Sequence, residues 1–395
     1  METVGYSGGM RRLILCLLTL AAFRRDAGAA PELTQEQRAR VFGPPGMVTT
    51  GGHVARVRLE GTDRRGFYKC SYLRVSINGH GPFTFLYDTG ASFTSISSEV
   101  IQAAQLPLEV DRGGYHDLLR IPSLRIGEVE IRDLTAVRDD DFGVDGVLGF
   151  RAFGDMSLTF DLRERLLLVS SEPVALKGSF DLPYELNHNV PVVPVMIDTT
   201  RVAVLIDTGD DAYAFELRSD DLKGAIFAHE PISAENVLNG ARTQPTRVST
   251  LLSRVGLGPI AIEHPVIGIN DDLPVADFGV DFLRGFRFEF EPGRMMVAFQ
   301  PLFAGGTTTT HGALSPGFTL RFDGLGTVAN VIQGSAAEQA GMRPGDRILS
   351  LEGKAIRAYD PRAWDRLLVP RRPLSVRWQQ GTSEHVDRFE VRELK

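Results

Sequence analysis

The fold is decided by a stretch of sequence that occurs twice. The first copy reads Thr84-Phe85-Leu86-Tyr87-Asp88-Thr89-Gly90-Ala91-Ser92, and the second reads Ala203-Val204-Leu205-Ile206-Asp207-Thr208-Gly209-Asp210. In both copies an apolar strand runs directly into Asp-Thr-Gly, and Asp207 follows Asp88 by 119 residues. A carboxylate at the end of a buried strand is costly unless it is paired or hydrogen-bonded. The repetition therefore predicts that Asp88 and Asp207 meet as a pair across a pseudo-twofold axis.

The segments around the two copies repeat one order of elements. Before each Asp, an alternating strand and a turn predict a hairpin. After each Asp come a short helical segment, several strands and an apolar-glycine loop, which is Val144–Gly149 in the first copy and Phe278–Leu283 in the second. Each copy then closes with a strand pair. We interpret the chain as a duplicated, mainly β fold, with one copy at 61–174 and the other at 175–302.

The composition is that of a soluble globular protein with two or three domains. Of the 395 residues, 43% are hydrophobic and 24% are charged, and the formal net charge is −7. These values are ordinary for globular proteins, and the negative balance argues against a nucleic-acid partner. The sequence holds two cysteines, Cys16 and Cys70. Because Cys16 lies in a segment predicted to be removed, no internal disulfide is expected in the mature chain.

The N-terminal segment has the order of a signal peptide. Met10-Arg11-Arg12 precedes an apolar run at 13–23, and Ala27-Gly28-Ala29 offers a cleavage site of small residues. The run is too short to span a bilayer stably, so a signal peptide at 1–29 is predicted. We expect an exported protein, periplasmic or secreted, and an apolar N-terminal helix of a cytoplasmic protein is the alternative. Residues 30–60 are predicted to be a spacer or propeptide.

Two adjacent carboxylates provide the groups that peptide hydrolysis by water requires. One acid must activate the water and another must protonate the departing nitrogen. Like charges at contact distance cannot both ionise, so such a pair shares one proton. The Thr can hydrogen-bond the partner strand, and the Gly lets the chain turn sharply. An isolated Asp at a strand end is most often a turn or cap residue, but two equivalent copies indicate a site.

On these motifs the sequence resembles the pepsin–retropepsin superfamily of aspartic peptidases over roughly residues 65 to 300. The resemblance implies two retropepsin-like β-lobes that form a bilobal acid-protease fold, with the apolar-glycine loops crossing beneath the aspartates. It also implies the roles of six residues: catalytic Asp88 and Asp207, interlocking Thr89 and Thr208, and supporting Gly90 and Gly209. Because both lobes stand on one chain, we expect a monomer that acts on peptide or protein substrates.

Two positions depart from the family pattern. Pepsin-like enzymes carry Ser or Thr directly after Asp-Thr-Gly, and here these positions are Ala91 and Asp210. Loss of the hydroxyl donor and a third nearby carboxylate both favour protonated dyad carboxyls, which predicts activity nearer neutral pH than that of a digestive pepsin. A degenerate second site is the alternative. Gly114 and Tyr115 are flap candidates by their distance after Asp88, with an ordinary loop as the other interpretation.

The C-terminal part resembles a second family. A polar Thr/Gly stretch at 303–312 is predicted to be a linker. Beyond it, Gly334–Leu349 predicts a helix capped by Ser335, a turn and a strand, which resembles a bacterial-type PDZ domain over 313–395. The residues Gly317, Phe318, Thr319 and Leu320 resemble its carboxylate-binding loop, with Thr319 in place of a usual Gly. The resemblance implies a small α/β domain that binds peptides at a sheet edge, and a purely bracing module is the alternative.

Other catalytic chemistries lack support in the sequence. The motifs His-Glu-x-x-His and Gly-x-Ser-x-Gly are absent, so we expect neither a metal nor an organic cofactor. The acidic run at 139–141 is interpreted as a solvated turn, because the spacing of a calcium loop is absent. We therefore predict an aspartic endopeptidase whose PDZ domain binds substrate or partner peptides. A catalytically silent peptide-binding protein with this fold and a two-lobed scaffold without a peptide ligand are the alternatives.

Overall fold

The structure is a computed structural model of the chain. It describes residues 46–62, 68–110, 117–140, 144–210, 213–239, 242–310, 314–321, 326–359, 364, 367–368 and 371–393. The predicted signal peptide, most of the predicted spacer and the flap candidates Gly114 and Tyr115 lie outside these residues, so those predictions stay predictions. The chain divides into two compact units: unit 1 is Met1–Pro194, Ala203–Asp210 and Leu283–Leu302, and unit 2 is Val195–Val202, Asp211–Phe282 and Phe303–Lys395.

The elements are numbered in chain order. Those of the first copy are β1 (Met47–Thr50), β2 (Val54–Arg58), β3 (Glu60–Thr62), β4 (Tyr68–Ile77), β5 (His80–Asp88), β6 (Thr94–Ile96), α1 (Ser98–Ala103), β7 (Leu108–Val110), β8 (Asp117–Ile126), β9 (Val129–Arg138), β10 (Gly146–Gly149), a 3₁₀ turn (Phe150–Phe153), β11 (Ser157–Asp161) and β12 (Leu166–Ser170).

Those of the second copy are β13 (Phe180–Pro183), β14 (Glu185–Asn187), β15 (Val190–Ile197), β16 (Thr200–Ile206), β17 (Phe215–Leu217), a 3₁₀ turn (Ser219–Leu222), β18 (Ile232–Asn239), β19 (Arg242–Thr250), β20 (Val255–Leu257), β21 (Ile260–Ile262), β22 (Val266–Ile269), β23 (Ala276–Phe278), α2 (Val280–Leu283), β24 (Phe286–Glu291), a 3₁₀ turn (Pro292–Arg294) and β25 (Met296–Pro301).

The C-terminal elements are β26 (Thr307–Thr308), β27 (Leu314–Ser315), β28 (Phe318–Arg321), β29 (Thr327–Val331), α3 (Ala336–Gln339), β30 (Arg347–Leu351), β31 (Lys354–Ala355), a 3₁₀ turn (Ile356–Ala358), β32 (Leu374–Gln380), β33 (Ser383–Phe389) and β34 (Arg392–Glu393).

The strand pairings confirm the predicted duplication. In the first copy, β6 is parallel to β9 and antiparallel to β10. In the second copy, β17 is parallel to β22 and antiparallel to β23 in the same way. The hairpins before the aspartates also correspond, because β4 lies beside β5 and β15 lies beside β16. The prediction of a mainly β fold made of two repeated lobes is confirmed, and a smaller separate sheet follows them in the chain.

Part of the range predicted as a spacer belongs to the folded first unit. β1 pairs antiparallel with β9, and β2 pairs antiparallel with β12. Along β2 and just beyond it, Ala55, Val57 and Leu59 are buried while the residues between them are exposed. This is the period-2 pattern of a half-buried strand. The surrounding glycines and polar residues made so short a pattern look like a loop in the sequence.

A six-stranded sheet in unit 1 joins the closing hairpins of the two copies. Its order is β13-β25-β24-β11-β12-β2, and β11 pairs antiparallel with β24. Aromatic side chains stack on it: the ring centroids of its Phe160 and Phe288 are 4.9 Å apart, and Tyr87 of β5 stacks on Phe160 with centroids 5.6 Å apart. Burying one such side chain stabilises the fold by about 1.5–3 kcal/mol. Because Tyr87 directly precedes Asp88, this packing supports the end of β5.

Unit 2 contains the remaining strands of the second copy and the C-terminal domain. One of its sheets includes the order β18-β19-β22-β17-β23, and the C-terminal sheet has the order β28-β29-β30-β32-β33. The predicted linker differs from the structure, because β26 pairs in parallel with β21 and Thr310 is buried, donating its hydroxyl to the Val266 carbonyl at 2.6 Å. Backbone pairing and a threonine hydroxyl thus anchor a segment that has no apolar pattern.

Within the described ranges no helix is long and apolar enough to cross a membrane.

A buried carboxyl in the six-stranded sheet makes stability depend on pH. Glu289 on β24 is 1% exposed, and burial raises its pKa to about 7, with the nearby Glu291 adding to the rise and the Val174 amide opposing it. The amide of Val174 donates to Glu289 Oε1 at 2.6 Å. A raised carboxyl pKa means that the fold favours the neutral form. This contribution is therefore present below about pH 4.5 and is lost as the pH rises through about 7.

We predict that Glu289→Gln removes this pH-dependent loss of stability. The Gln side chain keeps an oxygen that can accept from the Val174 backbone N–H, and it cannot ionise. Urea unfolding at pH 5 and pH 8 measures it: between these values the wild type should lose on the order of 2 kcal/mol more than the variant. The exposed Glu185 on β14 provides a matched control, since Glu185→Gln should keep the wild-type dependence. Equal pH dependence of Glu289→Gln and the wild type would contradict the prediction.

Candidate active site

The two Asp-Thr-Gly segments lie in the same compact unit. Asp88 is the last residue of β5, and Asp207 directly follows β16. Both belong to unit 1, which contains Ala203–Asp210 together with the first copy. Apolar strands place the two aspartates: Phe85, Tyr87 and Ile206 are fully buried. Both aspartates are themselves only partly buried, so their carboxyl groups sit at the end of the core rather than inside it.

The two threonines form a reciprocal set of hydrogen bonds. Thr89 Oγ1 accepts from the Thr208 amide at 2.9 Å and donates to the Ile206 carbonyl at 2.5 Å. Thr208 Oγ1 accepts from the Thr89 amide at 3.1 Å and donates to the Tyr87 carbonyl at 2.9 Å. Both side chains are fully buried. Thr89 and Thr208 therefore link the two Asp-Thr-Gly loops through four hydrogen bonds.

Ser71 adds a bond that the sequence did not predict. Its hydroxyl, buried on β4, donates to the Thr208 carbonyl at 2.6 Å. This bond ties the second Asp-Thr-Gly loop to the strand that lies beside β5. Ser71 stands just before the alternating stretch of β4, and a lone Ser there carries no signal that distinguishes it from any other strand residue.

The glycines bring each carboxyl group against the opposite loop. The Gly90 amide donates to Asp88 Oδ1 at 2.8 Å, and the Gly209 amide donates to Asp207 Oδ1 at 2.6 Å. A β-carbon on Gly90 would lie 2.3 Å from Asp207 Oδ2, and one on Gly209 would lie 2.3 Å from Asp88 Cγ. No side chain fits at these distances, so each glycine leaves the space that the other aspartate occupies. The structure therefore brings Asp88 and Asp207 together.

The positions after the glycines differ between the copies. Ala91 has no hydroxyl, and its amide donates to the Asp88 backbone carbonyl at 3.2 Å. The Asp210 amide donates to Asp207 Oδ1 at 3.2 Å, which therefore accepts from two successive amides. Asp210 Oδ2 is buried. A third carboxyl group thus belongs to the loop that carries Asp207.

The first apolar-glycine loop adjoins the strand that ends at Asp88. β10 lies parallel to β5 with Gly149 level with Asp88. A β-carbon on Gly149 would lie 2.7 Å from the Ala91 carbonyl oxygen, and the Phe150 amide donates to that oxygen at 3.1 Å. The first loop therefore packs closely against the chain after Asp88. In the second copy, the Gly279 amide donates to the Ala214 carbonyl at 3.2 Å.

The buried side chain of Tyr87, next to Asp88, is uncharged. Burial raises the pKa of its phenol well above the ordinary value, and Tyr184 and Asp88 raise it further. The phenol lies within 3.4 Å of the Phe150 carbonyl, to which it donates. A phenol that stays neutral adds no charge beneath the aspartates.

Other candidate groups are accounted for in the described part of the chain. There, no cluster of three or more His, Cys, Asp and Glu side chains could hold a metal ion. Asp140, from the acidic run, accepts from the amide and hydroxyl of Ser98 at 2.6 and 2.7 Å, at the start of α1. A cavity of about 360 Å³ lies at the other end of β5, near Arg74 and His80, and neither Asp88 nor Asp207 lines it.

Of the four predicted peptide-binding residues, Gly317 lies in a turn and the other three lie on β28. Gly317 adopts a φ of 99°, and Phe318 begins β28. Thr319 and Leu320 are buried on that strand, and Thr319 Oγ1 accepts from the Asn330 amide at 3.1 Å. Thr319 is therefore a strand residue, and its hydroxyl accepts a hydrogen bond from the backbone of β29. The turn before the strand is formed by Ser315, Pro316 and Gly317.

We predict that the threonine interlock dominates the stability of this region. Thr89→Val keeps the shape but leaves the Thr208 amide and the Ile206 carbonyl without their partner. The free energy of unfolding should fall by about 2–3 kcal/mol, because each buried group left unsatisfied costs about 1–3 kcal/mol. Thr89→Ser keeps the hydroxyl and should lose about 1 kcal/mol or less. Denaturant unfolding measures both, and equal losses for Val and Ser would contradict the interlock.

Two parts of the chain match known protein families. Residues 73–155 match the family model described as "gag-polyprotein putative aspartyl protease", and residues 327–379 match that of the PDZ domain. Among solved structures, the chain is similar to a retropepsin-like aspartic protease from Rickettsia conorii, with 19% identity over 31% of this chain and 92% of that one, at a TM-score of 0.23. No curated protein matches. Residues 73–155 are thus similar to an aspartyl-protease family, and residues 327–379 are similar to the PDZ domain.

Proposed function

We propose that this chain is an aspartic endopeptidase in which Asp88 and Asp207 share one proton and activate one water. The observation that carries the proposal is the reciprocal packing of each carboxyl group against the glycine of the other loop. Two carboxyl groups brought together in this way cannot both ionise freely, so one keeps a proton. The match of residues 73–155 to an aspartyl-protease family supports the same function.

The reaction follows from that shared proton. The ionised carboxylate takes a proton from the water, whose oxygen forms a bond to the peptide carbonyl carbon. The protonated partner donates a hydrogen bond to the carbonyl oxygen, on which negative charge develops. The carbon–nitrogen bond then breaks as a carboxyl group passes its proton to the nitrogen, and the pair returns to one proton. No group beyond the two acids and water is required.

The surrounding bonds keep the two acids in position during these transfers. The Gly90 and Gly209 amides each donate to one carboxyl oxygen, which restrains the two carboxyl groups. The threonine interlock fixes the two loops relative to each other. Catalysis by positioned groups depends on such preorganisation, because a displacement of about 1 Å can cost a hundredfold in rate. The PDZ domain would add a second peptide-binding surface on the same chain.

We predict that Asp88→Asn and Asp207→Asn each lower cleavage of casein, an unstructured protein, by about a thousandfold or more, since general acid–base groups contribute about 10²–10⁴-fold. The exposed Asp155 gives a matched control, because Asp155→Asn should keep wild-type turnover. Fragment release at pH 3 to 8 is the measurement. Wild-type turnover by either dyad variant would contradict the proposal. An inactive wild type across this range would favour the silent peptide-binding alternative.

The pH profile tests the role of Asp210. Ala91 in one copy and Asp210 in the other supply no hydroxyl at the position after Asp-Thr-Gly, where a hydroxyl donor would stabilise the ionised form of the dyad. We predict that kcat/KM of the wild type is greatest at a pH nearer neutral than the optimum of a digestive pepsin. Asp210→Ser removes the extra acid and supplies a hydroxyl, and should move the profile about one pH unit towards acid. A wild-type maximum well below pH 4, or a profile that Asp210→Ser leaves in place, would contradict this explanation.

A further inference from the structure

We propose that Ser71 is a positioning residue for the two acids, because it strengthens one hydrogen bond to Asp207 and so moves the shared proton towards Asp88. In this assignment Asp207 holds the negative charge and takes the proton from water, and Asp88 donates to the carbonyl oxygen of the substrate. The hydrogen bonds that support the assignment all lie within unit 1. Its consequence for the reaction rests on the proposed function.

Ser71 makes its hydrogen bond where water does not compete. Its side chain is fully buried on β4, and its hydroxyl donates to the Thr208 carbonyl at 2.6 Å. This distance lies at the short end of the range for hydrogen bonds between two oxygens. Inside a protein such a bond is electrostatically stronger than in water, because the local dielectric constant is lower. The Ser71 hydroxyl therefore both fixes and polarises the Thr208 carbonyl.

The Thr208 carbonyl and the Gly209 N–H belong to the same peptide group. Electrons are delocalised over the oxygen, carbon and nitrogen of such a group. A bond accepted at the oxygen draws electron density from the nitrogen, so the N–H becomes a stronger donor, and bonds linked in this way strengthen one another by about 10–30%. The Gly209 N–H donates to Asp207 Oδ1 at 2.6 Å. Ser71 thus acts on Asp207 through one peptide group.

The strand equivalent to β4 in the second copy has no such residue for the loop of Asp88. In that loop the Gly90 amide donates to Asp88 Oδ1 at 2.8 Å, the longer of the two glycine bonds. The equivalent strand is β15, which reads Val-Pro-Val-Val-Pro-Val-Met-Ile from 190 to 197. None of these side chains carries a hydroxyl or an N–H donor. β15 therefore offers the loop of Asp88 no side-chain donor like Ser71.

The next amides along the two loops add to the difference. The Asp210 amide donates to Asp207 Oδ1 at 3.2 Å, whereas the Ala91 amide donates to the Asp88 backbone carbonyl. A hydrogen bond to the ionised form of a carboxyl group stabilises that form. The two loops therefore differ in one direction, with the negative charge favoured on Asp207.

Further titratable groups lie beside the two acids. The Asp210 carboxyl belongs to the loop of Asp207 and, when ionised, opposes a second negative charge there. The phenol of Tyr87 is neutral, because burial, Tyr184 and Asp88 raise its pKa well above the ordinary value. Burial also raises the pKa of Tyr184 to about 12, so this phenol is neutral too. All these groups are present with and without the serine hydroxyl, so a comparison of the two isolates the effect of the hydroxyl.

Carboxyl ¹³C NMR of the full chain, labelled at aspartate, measures the effect without turnover. Because coupled acids titrate as a pair, each is followed without the other: Asp88→Asn leaves Asp207, and Asp207→Asn leaves Asp88. Adding Ser71→Ala should raise the pKa of Asp207 by about 0.5 unit, about threefold in its ionisation constant, and move that of Asp88 by less than about 0.2 unit. No rise for Asp207, or an equal rise for both acids, overturns the proposal.

Ser170 provides a matched control in the same unit. It is fully buried on β12, and its hydroxyl donates to the Glu172 carbonyl at 2.6 Å, as that of Ser71 does to the Thr208 carbonyl. Ser170→Ala should leave both titrations unchanged, and a rise for Asp207 as large as that caused by Ser71→Ala overturns the proposal. If Ser71→Ala does not fold, Ser71→Cys takes its place. The thiol is a weaker donor, so the pKa of Asp207 should rise by about half as much, and no rise overturns the proposal.

The pH profile of kcat/KM carries the same signature in the proposed peptidase. Its acidic limb reports ionisation of the first acid, and its alkaline limb reports loss of the second proton. Ser71→Ala should move the acidic limb up by about 0.5 unit and leave the alkaline limb in place, since the charge on Asp207 is present before and after that second step.

A structural role alone gives a different kinetic result. It would lower kcat/KM by the same factor at every pH, and that outcome overturns the assignment of Ser71. A wild type that cleaves nothing contradicts the proposed function instead. In that case the NMR titrations still decide whether Ser71 acts on Asp207, because they require no turnover.

Discussion

The structure of the site depends on the reciprocal bonds between Thr89 and Thr208. Each hydroxyl joins an amide and a carbonyl from the other copy, so two loops that stand 119 residues apart are fixed as one element. This constraint works against electrostatics, because it brings together two acids that would repel each other if both were ionised. Asp88 and Asp207 can lie so close only because Gly90 and Gly209 leave the space between the loops empty of side chains.

The rest of unit 1 holds this interlock in place. The aromatic stack from Tyr87 through Phe160 to Phe288 joins the strand that carries Asp88 to the six-stranded sheet. That sheet contains the closing hairpins of both copies, and the pairing of β11 with β24 joins these hairpins independently of the loops. A buried acid within the same sheet, Glu289, makes the support itself sensitive to pH. Within unit 1, stability therefore depends on pH through a group other than the two aspartates.

The sequence predicted the features that have local signals. The two aspartates, the threonines and glycines beside them and the strands before them follow from the repeated motif and its apolar runs. β1, β2 and β26 were not predicted as strands, because their pairing partners lie far away in sequence and their own patterns are short or polar. Ser71 was missed for a similar reason, since only the folded chain brings it to the Thr208 carbonyl. Thr319 was placed in a loop, whereas Pro316 and Gly317 complete the turn earlier and leave Thr319 on β28.

The central claim is that the interlock makes Asp88 and Asp207 one acid with a single shared proton. Neutron diffraction from crystals at pH 5 to 6 tests it most directly, because it locates deuterium atoms as well as oxygens. The account predicts that the nearest carboxyl oxygens of the two residues lie within hydrogen-bond distance, about 2.5–3.0 Å, with one deuteron between them. Two deuterons, no deuteron, or carboxyl groups too far apart for one water to contact both would contradict it.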